Sequence, residues 1–249
     1  MDILKCVVLG AVQGLTEFLP VSSSGHIILL QKILGFQFDS VTLALVLHAG
    51  TLLSVLTVFF GDFLRLFKPP FKKLFLLVLA TLPAAAVGFF WGDGISVLFD
   101  GKLLGFAFLF TAALISLTRI FAKTSSSQLG LKQSVAMGLF QTIAVVPGVS
   151  RSGSTVFAGV AFGGERKEVV SFSFLMSIPV IAGGCLFSFI GGKLTFSGEN
   201  FLPLLFGFLS AALFGFFAIK LFLKTVRANN FSPFCIYLIV AAALSFFIM

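Results

Sequence analysis

Gln13-Gly14-Leu15-Thr16-Glu17-Phe18-Leu19-Pro20-Val21-Ser22-Ser23-Ser24-Gly25-His26 interrupts an apolar run, 2–35, with a carboxylate, an imidazole and three consecutive serines. A second apolar run, 131–162, is interrupted by Pro147-Gly148-Val149-Ser150-Arg151-Ser152-Gly153-Ser154-Thr155. Each stretch reads as a short helix, a Pro/Gly/Ser break and another short helix. That is the pattern of a re-entrant hairpin, which enters a membrane and returns on the same side. Irregular backbone at such depth is tolerated only where protein or a wet cavity satisfies its polar groups.

The two stretches align without a gap. A shift of 128 residues puts Gly10 on Gly138, Gln13 on Gln141, Ser22 on Ser150, Ser24 on Ser152 and Gly25 on Gly153. The same shift puts Glu17, Ser23 and His26 on Val145, Arg151 and Ser154, so the halves share a frame and divide the chemistry.

The rest of the chain identifies the solvent around these breaks. Of 249 residues, 58% are hydrophobic, 10% are charged and 35 are Phe. A soluble domain of this length needs more polar surface. Six segments, 41–61, 72–91, 103–121, 167–190, 201–221 and 232–249, reach or approach the about 20 apolar residues that span a bilayer. Three follow each hairpin. Three is odd, so the second half would insert upside down relative to the first, as in many transporters with sites between broken helices. The expected fold is an all-α integral membrane protein with six transmembrane helices and two re-entrant helical hairpins in an inverted-topology repeat. It forms one membrane domain over 1–249, with repeat one over 1–122 and repeat two over 131–249.

Charge gives the orientation. Arg65, Lys68, Lys72, Lys73, Arg119, Lys123, Lys132, Arg166, Lys167, Lys220, Lys224 and Arg227 fall on one side; Lys5, Lys32, Lys102 and Lys193 fall on the other. The richer side is expected in the cytoplasm, so both termini and the first hairpin face outward. The net charge of +8 is spread between apolar runs and forms no continuous face. It suits anionic lipid headgroups and excludes nucleic acid as the partner. Cys6, Cys185 and Cys235 lie far apart in apolar sequence and read as small buried side chains. The N-terminal run, broken by Gln13 and Glu17, reads as part of the fold and not as a cleavable signal.

Glu17, His26, His48 and Arg151 are the ionisable groups away from span ends. Each costs about 2.5–3.5 kcal/mol at bilayer depth, so each is a functional candidate by default. Gln13 and Glu17 share one helical face and could bind a cation, orient water or position an imidazole; the alternative is a helix-end carboxylate reaching the surface. His26 could act as acid, base or nucleophile, or simply cap its helix. His48 reads as a structural hydrogen-bonding residue or as site-lining. Arg151 carries bidentate donors suited to phosphate. Ser150, Ser152, Thr155 and the amides of the following helix start add neutral donors. The alternative for Arg151 is a structural pair with Glu17, which would also bring the hairpins together. No Walker loop, Rossmann fingerprint, zinc spacing or Gly-x-Ser-x-Gly elbow is present.

Gln13-x-x-x-Glu17, Phe18 to His26 and Pro147 to Thr155 resemble the two signatures of the bacterial undecaprenyl-diphosphate phosphatase family, the bacitracin-resistance type. All fixed positions of (Glu/Gln)-x-x-x-Glu, the downstream His and Pro-Gly-x-Ser-Arg-Ser-x-x-Thr are met. Gln13 stands where some members have Glu, and the chain is somewhat short. The resemblance implies hydrolysis of undecaprenyl diphosphate to undecaprenyl phosphate and inorganic phosphate. It further implies a divalent cation, Mg2+ or Ca2+, and a site open to the outer face of the bacterial cytoplasmic membrane. Arg151 would clamp the diphosphate with Ser22, Ser150, Ser152 and Thr155. Glu17 with Gln13 would hold the cation or orient His26. Attack would come from His26, from a serine it activates (Ser23), or from water. Expected partners are the polyprenyl diphosphate and membrane lipids, with a homodimer admitted as an assembly. The competing function is a transporter or flippase of a polyprenyl phosphate, which has no need of Glu17 with His26.

Overall fold

A computed structural model describes residues 2–34, 41–121, 128–191, 200–228 and 230–249. Lys123 and Lys193, and the positions 35 and 122 that close the first hairpin and the first repeat, lie outside the described residues. Among the described residues the chain is all helical: α1 (Ile3–Phe18), α2 (Ser23–Leu34), α3 (Val41–Val58), α4 (Phe60–Leu66), α5 (Lys72–Ser96), α6 (Leu104–Phe121), α7 (Leu131–Ile143), α8 (Arg151–Ala161), α9 (Arg166–Ile190), α10 (Phe201–Ala228) and α11 (Ser232–Ile248).

Five of these, α3, α5, α6, α9 and α10, are long and apolar enough to cross a membrane. The chain is thus a multi-pass membrane protein. The sixth expected segment is α11, whose 17 residues extend about 26 Å at 1.5 Å per residue, at the lower bound of the range that spans a bilayer core. The segment 41–61 differs from expectation, because the helix breaks at Phe59 (φ −108°, ψ 22°) before α4 begins. Large apolar side chains such as Phe90, Ile190 and Phe247 are exposed, as a lipid-facing surface requires.

The hairpin arms are short for identifiable reasons. Asp2 caps α1 by accepting the Leu4 N–H at 3.0 Å. The helix stops at Phe18 because Leu19 precedes Pro20, which forces it extended (ψ 148°). In the second hairpin α7 ends four residues before Pro147, and Ser150 caps α8. Several helix hydroxyls are satisfied locally: Thr16, Thr57, Thr118 and Ser245 each donate to the carbonyl four residues back.

Packing exchanges partners between the halves. Helix α1 lies along α10 and α7 along α5, while α3 meets α9 and α6 meets α11. Two glycines make the first pair of contacts possible. A Cβ on Gly10 would sit 2.3 Å from the Gly207 carbonyl of α10, and one on Gly138 would sit 2.6 Å from the Ala80 carbonyl of α5.

Candidate active site

The two hairpin breaks share a hydrogen-bond pattern, although Ser22 (φ 71°) and Ser150 (φ −74°) differ in backbone conformation. Ser22 Oγ lies 3.3 Å from Ser24 Oγ and accepts the Gly25 N–H at 3.4 Å. Ser150 Oγ, 128 residues on, lies 3.2 Å from Ser152 Oγ and accepts the Gly153 N–H at 3.2 Å. The Ser22 carbonyl accepts the His26 amide at 3.3 Å, and the Ser150 carbonyl accepts the Ser154 amide at 2.9 Å. Each serine thereby starts a helix whose first amides point out of its N-terminus. Those are Ser23 and Ser24 on α2, and Arg151 and Ser152 on α8, donors at two positive helix ends.

The tips interlock. The Gly148 N–H donates to Ser22 Oγ and the Ser152 hydroxyl to the Leu19 carbonyl, each at 3.1 Å. A Cβ on Gly25 would lie 2.9 Å from Gly148 Cα. Thr111 of α6 accepts the Ser150 N–H at 3.0 Å, which anchors the second tip to a span. Gly148 (φ 92°) suits its left-handed conformation; Ser22 (φ 71°) does not. A non-glycine residue held there costs about 1–3 kcal/mol, a strain typical of functional breaks.

Glu17 is the hub. Its Oε1 meets Arg151 Nη2 at 2.5 Å. Its Oε2 accepts the Ser23 hydroxyl at 2.7 Å and the Gln13 Nε2–H at 3.0 Å. His48 Nε2 stands 3.9 Å from the same oxygen. The Glu17 and Arg151 side chains are 9% and 15% exposed, so the pair is nearly dry. Losing one partner of such a pair strands the other charge, at about 3–5 kcal/mol.

A cavity of about 570 Å³ opens on this hub. Glu17, Ser22, Ser23, Ser24, Ser150 and Arg151 line its polar end, with His48 and Gln141 beside them. Its apolar walls come mainly from α5 and α9, through Phe89, Val180 and Phe187.

Other expected residues point elsewhere. The His26 ring does not line the cavity. Its Nδ1 lies 2.7 Å from the Ser22 carbonyl, which can only accept, so Nδ1 carries the proton. Nε2 then accepts the Tyr237 hydroxyl at 2.6 Å, and the ring stacks on Tyr237 with Phe108 at its edge. Glu17 makes no contact that orients His26. Ser152 ties the tips as described, and Thr155 Oγ1 lies 2.8 Å from the Arg151 carbonyl and 2.6 Å from Ser173 Oγ. Gln13 is fully buried, its Oε1 without a partner.

His48 and Tyr237 gain weight from the structure. His48 lines the cavity, with Nδ1 2.7 Å from the Ala44 carbonyl and Nε2 toward Glu17. Tyr237 had one sequence signal: it is the single Tyr of a chain with 35 Phe, and a phenol within an apolar helix needs a hydrogen-bond partner. Among the described residues no group of three or more His, Cys, Asp or Glu converges. Glu17 is an oxygen donor of the type a hard cation takes, but Arg151 and Ser23 already hold its two oxygens, and Gln13 is buried outside the cavity lining. Mg2+ is commonly bound through one or two carboxylates, with water and phosphate oxygens completing the set.

Fold and cavity define a class: a multi-pass membrane protein with a nearly dry ion pair and two helix starts at one end of an apolar-walled cavity. The chain belongs to the bacitracin resistance protein BacA family, whose family model matches residues 6–244. It is 38% identical over 271 residues to the undecaprenyl-diphosphatase of Rubrobacter xylanophilus, covering 98% of this chain and 97% of that one. It is 34% identical over 259 residues to undecaprenyl-diphosphatase 1 of Bacillus licheniformis, covering 96% and 95%. It is 36% identical over 264 residues to the undecaprenyl-diphosphatase of Methanobrevibacter smithii, covering 95% and 94%.

Proposed function

We infer that the protein is an undecaprenyl-diphosphatase. It hydrolyses undecaprenyl diphosphate to undecaprenyl phosphate and inorganic phosphate, recycling the lipid carrier of peptidoglycan synthesis and conferring bacitracin resistance. Family membership and the names of the relatives support the reaction. One geometric observation carries the chemistry: Ser23 Oγ lies 2.7 Å from Glu17 Oε2 in the cavity, with Arg151 on the other carboxylate oxygen.

Phosphoryl transfer depends mainly on positioning and on stabilising charge. Arg151 and the helix starts of α2 and α8 bind the diphosphate oxygens. Glu17 takes the Ser23 hydroxyl proton as Ser23 Oγ forms a bond to the terminal phosphorus. The bridging P–O bond breaks, and its electron pair leaves with undecaprenyl phosphate. Water then bonds to phosphorus, the P–Oγ bond breaks, and the proton on Glu17 returns to Ser23. Inorganic phosphate departs with both protons of the water. His48 lines the cavity near this carboxylate, its Nε2 3.9 Å from Glu17 Oε2. The family resemblance adds a divalent cation, Mg2+ or Ca2+, which would offset diphosphate charge; Glu17 would be its ligand in the cavity, while Gln13 lies outside the lining.

The prenyl tail runs between α5 and α9. Gly88, Gly183 and Gly184 line the cavity there, and a Cβ on any of them would meet nothing within 4 Å. The reading includes six spans and two re-entrant hairpins in an inverted repeat. Arms of 16, 12, 13 and 11 residues extend about 17–24 Å, too little to cross, and the exchange of helix partners between halves supports the repeat. The Lys/Arg distribution supports an outward-facing first hairpin in the cytoplasmic membrane.

Purified protein given undecaprenyl diphosphate and Mg2+ in detergent should release phosphate, and a rapid quench should leave phosphate on Ser23. Phosphate mapped to His26 would overturn the serine route, and phosphate on neither residue would point to direct attack by water. No release, with lipid moving across vesicles, would make the protein a polyprenyl phosphate flippase.

A further inference from the structure

We propose that Gln141 is a substrate-binding residue whose carboxamide donates to oxygens of the diphosphate head group. It stands in the last turn of α7, is 2% exposed and lines the cavity. Both its Nε2 and its Oε1 are buried without a hydrogen-bond partner in the protein. A carboxamide brings two donors and an acceptor, and leaving all of them unpaired is unfavourable for the fold.

The repeat explains why this amide stands idle. Its counterpart Gln13 spends Nε2 on Glu17, four residues further along the same helix. Four residues beyond Gln141 the chain has Val145. The second hairpin therefore keeps the glutamine and lacks the carboxylate that would occupy it. An idle amide on the cavity that Arg151 and Ser150 also line suits an anionic ligand, adding donors without another charge inside the membrane. The ligand chemistry rests on the phosphatase reading, the diphosphate being the anion that reaches this end of the cavity.

Substrate contact and a structural role predict opposite signs. Gln141→Met keeps the shape and removes the idle polar atoms. The full-length variant in detergent should unfold at the same temperature as the wild type or higher. Its kcat/KM for phosphate release from undecaprenyl diphosphate should fall about tenfold to a hundredfold, the weight of one or two hydrogen bonds to a charged group. Gln141→Glu, of equal size, should lose at least as much, because a carboxylate repels the diphosphate. It also provides the test should the methionine variant not fold. Wild-type kcat/KM in either variant overturns the proposal. So does a loss of activity matched by a lower unfolding temperature, which marks a structural glutamine. If the wild type itself releases no phosphate, the phosphatase reading fails separately. Binding of undecaprenyl diphosphate to wild type and to Gln141→Met then decides, and equal affinity overturns the contact.

Discussion

In the first hairpin the residue four places beyond the glutamine is Glu17; in the second it is Val145. In the first the residue after the capping serine is Ser23; in the second it is Arg151. Around these differences a hydrogen-bond frame is duplicated: Ser22 and Ser150 accept equivalent amides, though only Ser22 has a positive φ, and Gly10 and Gly138 seat their helices alike. The chemistry is divided, and buried charge is expensive. Two copies of each ionisable group would bury two acids and two cations, each at a desolvation cost of several kcal/mol. Dividing them leaves one acid and one cation that neutralise each other, and that pair also joins the halves.

The largest effects should come where the hairpins differ. Ser23→Ala and Arg151→Ala should each lower kcat for phosphate release about a thousandfold or more, as loss of a nucleophile or of a charge-stabilising donor does. Arg151→Lys should restore little, since a point charge cannot reproduce the planar fork. Ser24→Ala removes a hydroxyl one residue from Ser23 that bonds only within the break. It should stay within about tenfold of wild type, the worth of one hydrogen bond. Rate assays on the four variants check this ordering. A severe loss in Ser24→Ala with a mild one in Ser23→Ala would move the nucleophile.

Where the hairpins agree, effects should agree. Gly10→Ala and Gly138→Ala each push a Cβ against a backbone carbonyl, at 2.3 and 2.6 Å. Each should destabilise the protein by about 1–3 kcal/mol or more, the cost of overpacking. Thermal unfolding of the two variants measures it. Tolerance of one and failure of the other would break the equivalence of the α1–α10 and α7–α5 contacts.

A smaller effect should follow from the third difference, His26 opposite Ser154. Tyr237→Phe removes the donor to His26 Nε2 and leaves a buried acceptor unpaired. That should cost about 1–3 kcal/mol, read as a lower unfolding temperature.

Much of this was legible because the sequence prints the frame directly. The Pro20 and Pro147 breaks and the 128-residue register rest on local chemistry, and the pairing of Glu17 with Arg151, which the sequence offered only as the alternative to a phosphate clamp, rests on the cost of an unpaired charge. The facing of side chains was not legible. His26, Ser152 and Thr155 sit within the motifs, yet helix rotation turns them into the protein, toward Tyr237, Leu19 and Ser173. A motif fixes spacing along the chain and leaves open which face of a twelve-residue helix a neighbour will cover. His48 reaches Glu17 across a helix–helix contact that no local pattern announces.

The smallest effect should lie farthest from both hairpins. Glycine inside a helix costs about 1 kcal/mol relative to alanine. The glycines at helix contacts, such as Gly10, offset that by close packing. Gly183 and Gly184 of α9 and Gly88 of α5 meet nothing that packing would explain, and they line the cavity. Room for a chain-like ligand accounts for them. Gly183→Leu should therefore fold normally, since its side chain enters open space. It should lower kcat/KM for undecaprenyl diphosphate by about three- to tenfold, the scale of a methylene or two of misfit in an apolar site. With a short prenyl diphosphate, whose tail does not extend that far, the same variant should match wild type. Equal losses on both substrates would place the obstruction at the head group. No loss on either would mean that the tail leaves by another face, and that the open glycines of α5 and α9 do not mark its path.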